Sequence, residues 1–335
     1  MIERRSSNIQ TLIIIIIILF LLVLFVNKIG NLIYVLESDQ IKIQNSLSNE
    51  IDDIKNLMNK YQQQGRQPIK ENTDYRIKIS STIPTYKLYL HGKGDMISDR
   101  VFQTGVWDDC MNILNIVTNK FGNLKKLSIV EIGTNIGACA IPYISKGHKV
   151  YGFEPFPPSI ELVRKSIKEN PYLTGELILI EAAASNRKGE ANIFFEHGNF
   201  GNSRVGNNTK NYSIKGFNYE KYEKIRLTTI DSVVHEHINL LKMDCQGFEY
   251  TASLGAINLI KKYGIDIVIF ELTPIFIEAN NQNPVDILLF FSDNNFNIYH
   301  NDKILEISQF KSFVNDLKNT RLDTTIVCYN KDTKF

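Results

Sequence analysis

The run Glu131-Ile132-Gly133-Thr134-Asn135-Ile136-Gly137 sets an acid two residues ahead of a glycine and a second glycine four residues on. It follows the apolar, β-branched stretch Leu127–Ile132 and precedes a helix-like stretch, Ile136–Ser145, so it reads as a strand-to-helix turn. Glycine at such a turn lets the backbone approach a ligand closely. The spacing E-x-G-x-x-x-G departs from the G-x-G-x-x-G of a dinucleotide fingerprint, and Asn135 stands where a further glycine would have favoured a nicotinamide cofactor. A carboxylate at 131 suits a cationic ligand better than a pyrophosphate; the sulfonium and amino group of S-adenosylmethionine are such cations. Glu154 ends the next strand-like run, Lys149–Phe153, 21 residues after Gly133. An acid there can accept hydrogen bonds from both ribose hydroxyls of an adenosine, where the plainer reading is a solvated loop charge. Pro155, Phe156 and Pro157 stiffen the turn and offer an apolar wall for an adenine. The cofactor set read from these residues is Glu131, Gly133, Asn135, Gly137, Glu154 and Pro155.

Three more carboxylates are candidates on the same sheet edge. Asp244 follows Leu240–Met243 and is the first choice for a base or substrate orienter; a well-placed base contributes ~10²–10⁴-fold. Lys242, two residues before it, shares its face of the strand and is its expected partner ion. Glu249 opens the next helix, either as a site residue or as a charge favourable to the helix N-terminus. Glu271 ends Ile265–Phe270 and is a substrate-side candidate. His235 and His237 flank Glu236, and with no third ligand nearby they read as surface imidazoles, so no metal is expected.

The elements that must position these groups alternate. Strand-like runs at Leu127–Ile132, Lys149–Phe153, Leu177–Ala182, Leu240–Met243 and Ile265–Phe270 alternate with helix-like runs at Ile136–Ser145, Pro157–Asn170, Phe248–Leu259 and Pro284–Asp293, and Asp323–Tyr329 closes the series as an expected antiparallel strand. Continuous apolar strands between helices imply an α/β fold with a doubly wound, mostly parallel sheet covered on both faces. Residues 196–225 interrupt the series between strand-like Asn192–Phe195 and Lys224–Leu227. Their Gly and Asn content argues a long loop, and Phe200, Arg204, Tyr212, Phe217, Tyr219 and Tyr222 would suit a substrate lid.

The chain has 335 residues, 38 Lys+Arg against 36 Asp+Glu and hence a net charge of +2, which argues against a nucleic-acid partner held by counterion release. Cys110, Cys139, Cys245 and Cys328 form no C-x-x-C pair and read as buried thiols. Leu12–Val26 is fifteen residues without a polar side chain. As a helix, Ile9–Val26 would be about 27 Å long, near the ~30 Å of a bilayer core. Arg4 and Arg5 outweigh Lys28, so the expectation is a type II signal-anchor with the body lumenal, where Asn207 and Asn211 would be glycosylation acceptors. Leu47, Ile51, Ile54, Met58 and Tyr61 recur at heptad spacing in a polar stretch, either a plain amphipathic helix or a stalk pairing two copies as a homodimer. The expected division is 1–36 anchor, 37–74 polar stalk and 75–335 catalytic-type domain.

Several of these blocks, in this order, resemble the FkbM family of S-adenosylmethionine-dependent methyltransferases over about residues 95–275. They are Val130–Gly137, Gly152-Phe153-Glu154-Pro155, Ala182-Ala183-Ala184-Ser185-Asn186, Thr229-Ile230-Asp231-Ser232-Val233 and Leu240–Glu249, with Asp99–Asp108 as lead-in. The resemblance implies a class I, Rossmann-like domain, O-methylation, Ala183 at the cofactor and Asp108 at the substrate; the lid aromatics with Asn and the anchor point to a glycan, glycolipid or similar polyhydroxylated acceptor. Asp108 stands where the family usually has Glu. Gln246 stands where the family string K-x-D-x-E-G-x-E has Glu, so one carboxylate beside the reaction centre is missing. That departure motivates a second reading, a catalytically degenerate nucleotide-fold binding module tethered to a membrane.

Overall fold

The computed structural model describes residues 75–122, 126–196, 198–206, 219–320 and 322–334. The expected anchor at Leu12–Val26, the heptad stretch and both sequons lie outside the described residues. Among the described residues no helix is long and apolar enough to cross a membrane.

Strands β1 (Tyr75–Ile79) and β2 (Lys87–His91) form an antiparallel pair, followed by helices α1 (Met96–Thr104) and α2 (Asp108–Phe121). Then come β3 (Ser128–Ile132), α3 (Ala140–Ser145), β4 (Lys149–Phe153), α4 (Pro157–Lys168) and β5 (Glu176–Ile180). The excursion β6 (Ala183–Ala184), β7 (Gly189–Glu196), β8 (Asn199–Gly206) and β9 (Glu220–Thr228) precedes β10 (Ile238–Met243), α5 (Glu249–Leu254) and β11 (Ile265–Leu272). The chain closes through α6 (Pro274–Ala279), α7 (Pro284–Asp293), β12 (Phe296–His300), β13 (Lys303–Ile304), α8 (Phe310–Thr320) and β14 (Thr324–Asn330).

The main sheet has the order β13-β12-β14-β11-β10-β3-β4-β5. From β5 to β11 all pairings are parallel, and β14 runs antiparallel to β11, as the terminal strand was expected to. β3 therefore has β4 on one side and β10 on the other, and the strand order reverses at this point. In an open α/β sheet that reversal is where a crevice forms at the carboxyl ends.

Alternate residues along each central strand explain the two covered faces. Val130, Ile132, Leu241, Met243, Val268 and Phe270 pack with α5–α8 through residues such as Ala252, Ile287, Phe291 and Val314. Ile129, Leu240, Ile267 and Ile269 pack instead with β2 and α1–α4, through Leu88, Leu90, Leu114, Ile141 and Leu162. A period of two with both phases apolar is what a sheet buried on both sides demands.

Three expectations are corrected. The helix expected over Ile136–Ser145 is regular only from Ala140, because Asn135 and Gly137 take positive φ and the chain turns before it can coil. The loop expected over 196–225 is partly sheet: Asn199–Gly206 pairs antiparallel with β7, giving a second sheet of order β6-β9-β7-β8. Finally, Cys110 and Cys139 are not thiols but a disulfide, which ties the first turn of α2 to the residue before α3, with Cα atoms 5.0 Å apart.

Candidate functional site

A cleft opens at the carboxyl edge of the main sheet, over the β3/β10 reversal. Eight of the site residues expected from sequence line it: Glu131, Gly133, Asn135, Glu154, Pro155, Ala183, Lys242 and Asp244. The parallel register of β3 and β10 sets Lys242 opposite Glu131, and the Lys242 Nζ lies 3.7 Å from Glu131 Oε1 and 3.8 Å from Asp244 Oδ2. Burial alone would lower the Lys242 ammonium, but the charges of Asp244, Glu131 and Glu271 together raise it. Burial drives the Glu131 carboxyl up to about 7 against the pull of Lys242, with Asp244 and Glu154 adding to the rise. Its second oxygen, Oε2, is buried with no hydrogen-bond partner, as is the Thr134 hydroxyl beside it. A buried acceptor left unmet costs ~1–3 kcal/mol, so the cleft presents an open demand for a donor or cation at Glu131.

Glycine makes this geometry possible at Gly133, which runs at φ +84° with the backbone carbonyl of Asp244 where a Cβ would be. Gly137, at φ +80°, lies outside the cleft lining and closes the turn onto Ile141. Asn135 also adopts a positive φ, 50°, which Asn tolerates better than most residues. Its N–H donates to Glu154 Oε2 at 2.7 Å, and Phe156 N–H donates to Oε1 at 2.8 Å. Glu154 thus stitches the two turns together. A carboxylate has about four acceptor sites, so it retains capacity for ligand hydroxyls. Burial pushes it up to about 7 while the two N–H donors oppose the rise.

The remaining expected residues sit elsewhere. Both Glu249 oxygens accept backbone N–H groups, from Cys245 and Gly247, each at 2.9 Å, so this carboxylate holds the loop after Asp244. Glu271 does not line the cleft; Gln246 Nε2 donates to it at 3.1 Å. Asp108 is half-exposed and ion-paired to Arg100 at 2.6 Å, away from the lining, although its neighbour Trp107 is part of it. His237 uses one ring nitrogen on Asp266 and the other on the Tyr263 carbonyl. Among the described residues no three His, Cys, Asp or Glu side chains converge as metal ligands.

Three contributors take roles other than those expected: Phe200 and Arg204 belong to a strand rather than a loop lid, and Trp107 was read only as part of the lead-in block. Phe200, Gly201, Ser203 and Val205 of β8 form one wall of the cleft. Arg204 of the same strand is completely buried and donates to the Gln246 carbonyl at 3.0 Å and the Phe276 carbonyl at 2.6 Å. Trp107, the single tryptophan of the chain, also lines the cleft, as does Ile97, whose side chain packs on Gly201 of β8.

None of the curated proteins matches this sequence. Among solved structures, it is similar to the methyltransferase FkbM of Methylobacillus flagellatus KT, at 14% identity and a TM-score of 0.38 over 62% of this chain and 46% of that one. It thus spans less than half the length of that relative. It is similar also to the magnesium protoporphyrin IX methyltransferase of Synechocystis PCC 6803 with bound SAM, at 10% identity and a TM-score of 0.38 over 67% and 79% of the two chains. The family profile described as the methyltransferase FkbM domain matches residues 131–298, from the acid that opens the cleft turn through β12. On a match over half its length, the chain belongs to the FkbM methyltransferase family.

Proposed function

We propose that the protein is an S-adenosylmethionine-dependent O-methyltransferase whose acceptor is a hydroxyl of a glycan, glycolipid or similar polyhydroxylated molecule. The observation that carries the cofactor assignment is the buried Glu131 carboxylate, one oxygen unmet, in the same cleft as the Gly133–Asn135 backbone and Glu154. That donor set fits an adenosine carrying a cation: Glu154 and Pro155 at the nucleoside end, Glu131 at the charged end, and Ala183 on the wall between the turns. S-adenosylmethionine, when bound, supplies a methyl group on a sulfonium as the electrophile.

The chain's own task is positional. Methyl transfer is an in-line displacement, and holding the acceptor oxygen in line can lower the barrier by ~7–11 kcal/mol. Asp244, with one oxygen toward Lys242 in the cleft, is placed to accept the hydroxyl proton. Glu249 and Gly247 keep its loop in shape. Trp107, Phe200 and Phe248 give the cleft apolar walls that suit a sugar face and exclude water.

The proposal places this domain on a membrane through Leu12–Val26, lumenal in a type II arrangement, with the 37–74 stretch as a stalk. The Cys110–Cys139 disulfide supports an oxidising compartment, since such bonds are rare in the cytosol of mesophiles. Calorimetric titration with S-adenosylmethionine tests the core of the reading. Saturable 1:1 binding that Glu154→Ala abolishes is expected; absence of binding by the native chain overturns it. If binding occurs without turnover on any hydroxyl acceptor, the degenerate-module reading replaces it.

A further inference from the structure

The side-chain amide of Gln246 donates to Asp244 Oδ1 at 2.8 Å and to Glu271 Oε2 at 3.1 Å. A primary amide has two N–H bonds, one for each carboxyl. The other oxygen of Asp244 faces Lys242 in the cleft, and Lys242 in turn faces Glu131. Acceptors and donors therefore alternate without interruption from Glu131 through Lys242, Asp244 and Gln246 to Glu271. The backbone at Gln246 is anchored to match. It sits at φ +55°, its carbonyl accepts from Arg204, and the N–H groups on either side go to Glu249.

We propose that Gln246 is a positioning residue: it ties Asp244 to Glu271 and so sets the direction in which the cleft-side oxygen of Asp244 points. The proposal rests on the reading of Asp244 as the acceptor-side carboxylate. It gives the departure from the family's glutamate a physical meaning. With Glu271 ionised, a carboxylate at 246 would be a third acceptor between two acceptors and would break the alternation. The amide keeps the order while leaving Glu271 half-buried, outside the cleft lining. The charged groups facing this pair are Lys242 from β10, Glu131 from β3, Glu249 from α5, and Asp323 beside β14. Burial, then the charges of Asp244, Asp323 and Glu249, raise the Glu271 carboxyl to about 8. The amide therefore meets a group that changes charge in an accessible pH range.

The full-length chain, labelled in turn at Gln side-chain nitrogen and at Asp carboxyl carbon, tests this by NMR. Gln246→Asn and Asp244→Asn identify the two signals. The expected result is an amide signal for Gln246 that titrates far above the ordinary carboxylate range and loses that titration in Glu271→Ala. In Gln246→Glu the Asp244 carboxyl signal is expected to shift at alkaline pH and to return toward the native position as the introduced carboxyl gains a proton and again donates. A Gln246 amide that does not titrate, or an Asp244 signal indifferent to Gln246→Glu at every pH, overturns the proposal. If Gln246→Glu does not fold, the native amide titration and its loss in Glu271→Ala decide alone. A parallel titration with S-adenosylhomocysteine, read through Trp107 fluorescence, separates the two questions. Its failure counts against the cofactor assignment and leaves the carboxyl signals to judge Gln246.

Discussion

Gly133 and Asp244 meet backbone to backbone: the Asp244 carbonyl oxygen occupies the space that a Cβ on residue 133 would need, with Gly133 at φ +84°. The cofactor turn and the carboxylate loop are thus one piece of geometry, and a side chain at 133 would push them apart. Gly133→Ala is expected to cost about 2–5 kcal/mol, from left-handed strain plus overpacking, and to abolish cofactor binding. Gly122→Ala is the control, because Gly122 has a similar φ of +82° with nothing near its would-be Cβ. With ψ at 144°, it should cost about 1–3 kcal/mol from backbone strain alone and leave binding intact. Denaturant unfolding and calorimetry of the two variants make the comparison.

Glu154 has a structural and a ligand-facing task on the same carboxylate. Glu154→Gln replaces one acceptor oxygen with a donor that must confront the N–H of Asn135 or Phe156. An unmet buried N–H costs about 1–3 kcal/mol, so affinity for S-adenosylmethionine is expected to fall tenfold or more, with a lower unfolding temperature. A drop in affinity without any change in stability would mean that the stitch between the turns contributes nothing.

Much of this was legible in the chain because the signals were local. Lys149–Phe153 and Pro284–Asp293 match their expected bounds, the first as a short run carrying Val150, Tyr151 and Phe153 and the second bounded by an Asn-Pro start and a turn at Asn294. The cofactor turn was readable from two glycines and two acids. What escaped depends on partners distant in sequence. The Cys110–Cys139 bond joins residues 29 apart whose approach only the packed α2 and α3 reveal. Asn199–Gly206 is strand because β7 pairs with it, against its own Gly and Asn content. Glu249 and Asp108 carry the right chemistry in the right blocks, but their carboxylates are turned to the Cys245 and Gly247 amides and to Arg100.

Cofactor affinity should depend on pH through Glu131. Its carboxyl is raised to about 7, so the apo protein holds a proton there in a window where the unfolded chain would not. Stability from this group is full below the ordinary carboxylate range and is lost as pH rises through about 7. A cationic ligand favours the ionised form and displaces that proton. S-adenosylmethionine should therefore bind more tightly as pH rises from 6 toward 8, whereas S-adenosylhomocysteine, lacking the sulfonium charge, should show a shallower dependence. Glu131→Gln should flatten the difference between the two ligands in a calorimetric pH series.

The disulfide has a direct chemical assay. Denatured without reductant, the chain should present two reactive thiols, Cys245 and Cys328, and after reduction all four. Closing a loop of 29 residues stabilises by about 3–4 kcal/mol in the chain-entropy account. Cys110→Ser with Cys139→Ser should lose about that much by denaturant unfolding. Because Trp107 caps the same helix turn that carries Cys110, its emission should shift in the double variant if the bond holds that wall of the cleft.

Arg204 offers the sharpest test of whether the second sheet belongs to the site. Its guanidinium is fully buried, stacks on the Phe276 ring at 4.4 Å and donates to two carbonyls, those of Gln246 and Phe276. Hydrogen bonds from a charged donor contribute about 1.5–3 kcal/mol each. Arg204→Lys keeps the charge but loses the planar fork, so it is expected to destabilise by about 2–4 kcal/mol. Arg204→Met keeps much of the apolar stem and removes both hydrogen bonds, and should cost at least as much. If β8 only shields the cleft, hydrogen exchange in both variants should rise along β8 and leave the loop unchanged. If Arg204 holds the loop, the amides of Cys245 and Gly247 should exchange faster as well, because the carbonyl between them has lost its anchor while Glu249 still grips their N–H groups.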